Sequence, residues 1–233
     1  MKKIGFIIIA LIALFISNSS NAQEFFDTEH PEKFFNLGAR VGFNTSNRIF
    51  PKASYLNNIS TTWGTGFNAG VVANLNIRNY LSIQPGFFYE SRSGNMFNLA
   101  KDIIALDLKR HTYFEKSHLR AYYFTIPVMG IVKFNLAENI VWNVEFGPYI
   151  QFKLKENGQK DVVIYYSQAN TIFDNSFTAK NNSFDFGFKM GSGLTLYQHY
   201  YVGFHYLAGV CNTWSHPSGG KNRSWMFTAG YDF

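Results

Sequence analysis

The sequence has little of what a soluble enzyme or a helical membrane protein needs. Among 233 residues there is one cysteine, Cys211. No internal disulfide can form, and a lone thiol with no partner histidine in view carries no catalytic reading. Charged residues make up only 15% of the chain, against about 25% in ordinary soluble domains. Beyond the N-terminus no apolar run approaches the roughly 20 residues of a spanning helix, and helical periodicity is nearly absent. The basic residues are scattered, which argues against nucleic acid as a partner.

What is present starts with an export signature. Met1-Lys2-Lys3, an apolar run over 4–16 and then Ser20-Asn21-Ala22 follow the charged, apolar, small-residue order of a secretory signal, so residues 1–22 are expected to be removed. Position 23 is not a cysteine, so no lipid anchor is expected there. The formal charge of +6 falls to +4 without Lys2 and Lys3. Residues 23–35 read as a periplasmic lead, and 36–233 as one domain. Aromatics reach 18%, with 25 Phe and 14 Tyr. Many rings and few charges suit a wall that faces lipid.

Period-two alternation runs through eight segments: 36–44, 66–76, 81–90, 122–134, 140–153, 184–195, 200–210 and 224–233. In the first, Leu37, Ala39, Val41 and Phe43 share one face, and Asn36, Gly38, Arg40, Gly42 and Asn44 the other. The fourth is less clean, because Met129 and Ile131 share the face of Thr125 and Lys133. Most segments are near the 9 to 11 residues that a tilted strand needs to cross a bilayer. The turns after the second, fourth and sixth are short (78–79, 135–139 and 197–199), whereas long polar loops are expected over 45–65, 91–119, 154–183 and 211–223. Strict short–long alternation predicts an all-β, eight-stranded antiparallel up-and-down transmembrane β-barrel in the outer membrane. Both chain ends would be periplasmic and the long loops extracellular.

The polar face fits a lumen. It carries Arg40, Lys133, Lys153 and Lys189 against Glu90, Glu145, Asp185 and Asp232, with His205 beside them. Enclosed charges must be paired or hydrated, so a filled, ion-paired lumen is expected in a monomer, and not a general pore. Inward glycines such as Gly187, Gly191, Gly193 and Gly203 leave room for the long side chains. Trp142, Tyr80, Tyr197, Tyr200 and Phe233 fall near one predicted rim, and Tyr89, Tyr122, Phe152 and Trp225 near the other, as aromatic girdles do.

Several stretches look familiar: Asn36-Leu37-Gly38-Ala39-Arg40-Val41-Gly42-Phe43-Asn44, Ile83-Gln84-Pro85-Gly86-Phe87-Phe88-Tyr89, Phe124-Thr125-Ile126-Pro127-Val128 leading to Lys133-Phe134, and Asp185-Phe186-Gly187. Their order along the mature chain resembles the outer-membrane β-barrel domain family that includes the PorT-like proteins of Bacteroidetes-type bacteria. Gly130 stands where that family usually has a larger apolar residue. The terminal Phe233, with Tyr231 and Phe227 at alternate positions, looks like the signal read by the barrel-assembly machinery. The resemblance implies a fold and a location; some members serve a protein-secretion system.

No nucleophile, metal or cofactor site is expected. His205 with Glu145 is the one inward His–carboxylate pair, but no serine is placed beside them, and a lumen role is the better reading. His111 and His118 have no metal-ligand spacing. Gly191-Ser192-Gly193 precedes no helix, so it is packing room and not a phosphate loop. Lys109-Arg110-His111 and Lys221-Asn222-Arg223 are basic loop clusters that could touch lipopolysaccharide phosphates. The run Val162-Val163-Ile164-Tyr165-Tyr166 is expected to extend the strands beyond the membrane as a hairpin whose edge could receive a partner strand. Partners in view are therefore outer-membrane lipid and lipopolysaccharide, the assembly machinery, and envelope or secretion proteins. Lipid modification is the enzymatic alternative.

Overall fold

The structure is a computed structural model, described over residues 25–49, 59–104, 110–166, 169–177, 183–211 and 220–233. The expected signal over 1–22 lies outside these residues. Nine strands and no helix are found among them: β1 (Phe35–Ile49), β2 (Ile59–Arg78), β3 (Leu81–Ile104), β4 (Arg110–Ala137), β5 (Ile140–Tyr166), β6 (Ala169–Phe177), β7 (Phe184–Leu196), β8 (Tyr200–Gly209) and β9 (Lys221–Asp232). Eight of them, all except β6, pair antiparallel in a closed ring in which β9 returns to β1.

The register fixes the barrel's dimensions. From Phe35 the paired positions run through Leu75, Ile83, Gly130, Phe146, Met190, Tyr206 and Trp225, and return to β1 at Thr45. The circuit closes ten residues along the strand from its start (45 − 35). That stagger tilts the strands and leaves an interior just wide enough for side chains to fill.

The expected faces hold. Leu37, Val41, Phe43, Phe87, Val128, Phe146, Phe188, Val202 and Phe204 are exposed on the outer wall, while Arg40, Asn44, Asn68, Gln84, Glu90, Gln151, Asp185 and Lys189 are buried inside it. Met129 and Ile131 point inward with Thr125. Large apolar side chains outside and polar ones inside invert the soluble pattern, because the solvent of this wall is hydrocarbon. Along β4, the outward rings of Tyr122 and Phe134 mark the two rims. Twelve residues of tilted strand separate them by about 30 Å, the thickness of a bilayer core. Tyr122 stacks on Tyr89 at one rim, and Phe134 packs on Trp142 at the other.

The short turns lie at residues 79–80, 138–139 and 197–199: the first is shifted by one residue from the expected place, the second is tighter and the third is as expected. Tyr197 and Gln198 adopt φ of 51° and 62°, the left-handed pair that matches a hairpin to strand twist. The N-terminal lead lies across this end. Phe26 packs on Phe134 and Tyr80, Asn135 N donates to Phe25 O, and Asn79 Nδ2 donates to Asp27 Oδ2. Phe233 N donates to Leu37 O, so both described chain ends sit here.

The other end corrects the sequence reading. Much of 45–65, 91–119 and 154–183 is strand and not loop: β3 reaches Ile104, β4 starts at Arg110 and β5 continues to Tyr166. The basic cluster 221–223 opens β9 and is not in a loop; Lys109 lies outside the described residues, and Arg110 and His111 open β4. Beyond the membrane both strand faces meet water, so the polar–apolar alternation disappears while the hydrogen-bonded ladder continues. The expected hairpin is found there. Residues 158–165 of β5 pair with β4 on one side, and residues 158–166 pair with β6 on the other.

Candidate functional site

The lumen is a stack of polar contacts between strands that are distant in sequence. Nearest the short turns, Arg40 Nη2 meets Asp232 Oδ1 at 2.7 Å, and Asn74 Nδ2 donates to the same oxygen at 3.2 Å. The Arg40 guanidinium lies 4.3 Å from the centre of the Tyr201 ring, a cation–π contact. Tyr201 OH in turn donates to Glu145 Oε1 at 2.6 Å, and His205 Nε2 meets Glu145 Oε2 at 2.9 Å. Lys133 Nζ donates to Asn76 Oδ1 at 2.8 Å.

In the middle, Glu90 Oε2 accepts from Arg92 Nη2 at 2.6 Å and from Arg92 Nε at 3.0 Å. Gln151 ties this pair to β4, accepting from Arg92 Nη1 at 3.2 Å and donating to Thr125 Oγ1 at 2.8 Å. Lys189 Nζ lies 5.0 Å from the centre of the Phe88 ring. Toward the long-strand end, Arg48 Nη2 and Lys153 Nζ share Glu156, at 2.9 and 2.7 Å. Asn222 Nδ2 donates to Asp185 Oδ2 at 2.9 Å.

All nine expected charged residues therefore lie on the inner face, but they do not simply pair with one another. Arg40 takes Asp232 and His205 takes Glu145, whereas Glu90 and Lys153 take partners assigned from sequence to loops: Arg92 and Glu156. Arg48 and Arg92 were within reach of the alternation. Counting two more even positions past Asn44 reaches Ser46 and Arg48, and one more past Glu90 reaches Arg92. Glu156 was not. A register shift opposite Tyr122 and Tyr123 changes the parity of β5, so Lys153 and Glu156 both point inward.

The glycines are where the wide side chains need them. Gly193 and Gly203 are paired across β7 and β8, and the Tyr201 ring lies over both: a Cβ on Gly193 would sit 2.6 Å from Tyr201 Cε2. Gly191 makes room for the His205 imidazole in the same way, so Gly191 and Gly193 are packing room within β7.

With this geometry in place, the match to known proteins is direct. Residues 20–214 match the outer membrane protein β-barrel domain family. The chain belongs to this family. No curated protein matches it in sequence. Among solved structures it is similar to Ail, the attachment invasion locus protein of Yersinia pestis, solved with the heparin analogue sucrose octasulfate. The two are 15% identical, the match covers 86% of this chain and 100% of that chain, and the TM-score is 0.40. It is also similar to the outer membrane protein OprG from Pseudomonas aeruginosa, at 10% identity, 89% and 99% coverage and a TM-score of 0.40. Neisserial surface protein A gives 13% identity, 86% and 96% coverage and a TM-score of 0.35. As a family member with a lipid-facing apolar wall, this chain is an integral outer-membrane β-barrel protein.

Above the polar stack the barrel opens into a mouth at the long-strand end. It is a small cavity of about 40 Å3, lined from six strands by Arg48, Thr61, Arg92, Asn95, Tyr123, Glu156, Asn222, Arg223 and their neighbours. Arg223 Nη1 donates to Gly209 O at 2.7 Å and to Asn222 O at 2.9 Å.

Proposed function

We propose that the protein is a plugged, monomeric barrel whose work is done at its long-strand end, as an interaction protein of the cell surface. The observation that carries this is the polar stack from Arg40 to Glu156, in which Tyr201–Glu145, Arg92–Gln151 and Arg48–Glu156 link strands that are not neighbours in the ring. Opening a water path would have to part these buried contacts and move the side chains that bridge the lumen. In this reading both chain ends and the short turns are periplasmic. The projecting strands are extracellular: the nine residues of β4 beyond Leu119, 110–118, add roughly 30 Å. Closure of the ring leaves no unpaired barrel edge, which supports a monomer. The C-terminal positions Phe227, Tyr231 and Phe233 face outward on the closing strand, a placement that suits reading by the assembly machinery.

A second reading, an accessory of a protein-secretion complex, is favoured by the PorT-like stretches around Pro85 and Pro127 and by β6, which among the described residues pairs only with β5. Lipid chemistry at His205 and Glu145 has less support. These side chains and Tyr201 are 2%, 3% and 5% exposed and bond one another, so a substrate would have to displace the network. Mild-detergent capture of the tagged protein from native outer membranes separates the readings. Recovery as a lone barrel supports the independent surface role. A stoichiometric set of envelope proteins that vanishes when 158–177 is replaced by a short turn supports the secretion reading instead.

A further inference from the structure

The spanning strands keep their carboxylates inside. Glu90, Glu145, Asp185, Asp232 and, above them, Glu156 are all buried in the lumen. Just past its aromatic rim the outer wall gains cations with no carboxylate to match them. The register shift opposite Tyr122 and Tyr123 turns Lys153 and Glu156 inward, so Leu154 and Lys155 between them are left exposed outside. Lys155 is paired with Tyr122, whose ring marks the rim, and Arg120 lies one outward step further along β4, also exposed. Neither cation has an ion pair or a hydrogen bond among the described residues. Glu156, although next to Lys155 in sequence, is turned away to Arg48 and Lys153. The nearest carboxylate on this face by register is Asp161, which is paired with Lys116 further out.

Height decides what these charges meet. The headgroup layer adds roughly 5–7 Å to each side of a hydrocarbon core, and two residues of strand rise roughly 7 Å. Arg120 and Lys155, at and just beyond the Tyr122 rim, therefore lie in the headgroup layer. Below them Phe152 and Leu154, 43% and 50% exposed, offer apolar surface to acyl chains. Beside them the exposed Asn157, the register partner of Arg120, adds an amide at the same level. A guanidinium fork beside an ammonium suits a phosphate, and an amide suits sugar hydroxyls. We propose that Arg120 and Lys155 dock a phosphate on the sugar headgroup of lipopolysaccharide, with acyl chains of that lipid along Phe152 and Leu154. This gives the surface role a lipid partner and rests on the reading above that the long-strand end is extracellular.

Native mass spectrometry of the full-length protein in uncharged detergent, titrated with bisphosphorylated lipid A, tests it. Binding is expected to be at least ten-fold tighter than for the same lipid stripped of its phosphates. Arg120→Ser with Lys155→Ser should weaken it at least ten-fold, and Arg120→Lys alone, which keeps the charge but loses the fork, should fall between. Retained heat-modifiable migration on gels shows that each variant is folded. Equal binding by the double variant, or no preference for the phosphorylated lipid, would overturn the site. Equal binding of phosphatidylglycerol would overturn the glycolipid. An epitope tag in the projecting hairpin, stained on intact cells, tests the orientation separately. Staining without lipid preference counts against the site alone; staining only after lysis overturns the extracellular end and the site with it.

Discussion

Arg40 on β1 and Asp232 on β9 meet at 2.7 Å inside the barrel, beside the seam where the first and last barrel strands join. Their side chains are 3% and 9% exposed, so each is the other's main compensation for lost water. Asp232→Ala leaves the guanidinium with the carbonyls of Ala39 and Tyr231. A loss of about 3–5 kcal/mol is expected. The double replacement Arg40→Met with Asp232→Leu removes both charges, and is expected to restore most of that. Urea unfolding in phospholipid vesicles, followed by tryptophan fluorescence, measures both; a double variant as unstable as the single one would count against a desolvated pair.

The Tyr201 ring occupies the space above the Gly193–Gly203 pair. Gly203→Ala should therefore cost about 1–3 kcal/mol through overpacking. In a Tyr201→Ser background the same change should cost much less, with a coupling energy of about 1 kcal/mol or more. Additive effects in the same unfolding assay would show that the ring and the glycine do not compete for space.

Three prolines interrupt three successive seams. Paired positions skip from Val72–Gly86 to Leu75–Ile83 between β2 and β3, from Pro85–Val128 to Phe88–Thr125 between β3 and β4, and from Pro127–Tyr149 to Gly130–Phe146 between β4 and β5. Pro85, Pro127 and Pro148 have no N–H to give at these places. The β8–β9 ladder, by contrast, runs unbroken from Tyr200–Tyr231 to Ala208–Arg223. Amide exchange is expected to be faster at Gly86, Val128 and Gly147 than at Val202 and Phe204, and Pro127→Val should slow it at Gly86. Uniform protection around the barrel would refute a weak sector.

What could be read in the sequence follows the membrane's edges. Where one face meets lipid, alternation placed Leu37, Phe87, Phe146 and Phe204 outside and Arg40, Glu145, Asp185 and Lys189 inside, and all eight barrel segments were visible. Where both faces meet water, the same ladders carry no such mark, so the ends of β3, β4 and β5 read as loop; Arg48 and Arg92 lie one or two even positions past the clear alternation, within its reach, and only Glu156 lies beyond it. The pairing of Arg40 with Asp232 was also out of reach, because it depends on the ten-residue stagger that closes the ring. A one-residue parity change in β5 hid Glu156 for a similar reason: alternation reports a face and not a register.

The projecting hairpin is attached through β4 and β5, while the barrel half of β5 pairs separately with β7. Replacing 158–177 with a Gly-Ser turn should leave unfolding within about 0.5 kcal/mol of wild type, as for surface changes. A large loss of stability would mean that these residues help to hold the barrel.

Single-channel recording in planar bilayers tests the filled lumen most directly. The purified protein is expected to give no stable conductance steps, whereas Glu90→Ser with Arg92→Ser, which removes the central pair, should give small ones. Large, stable steps from the wild-type protein would contradict the plugged barrel and make it a pore.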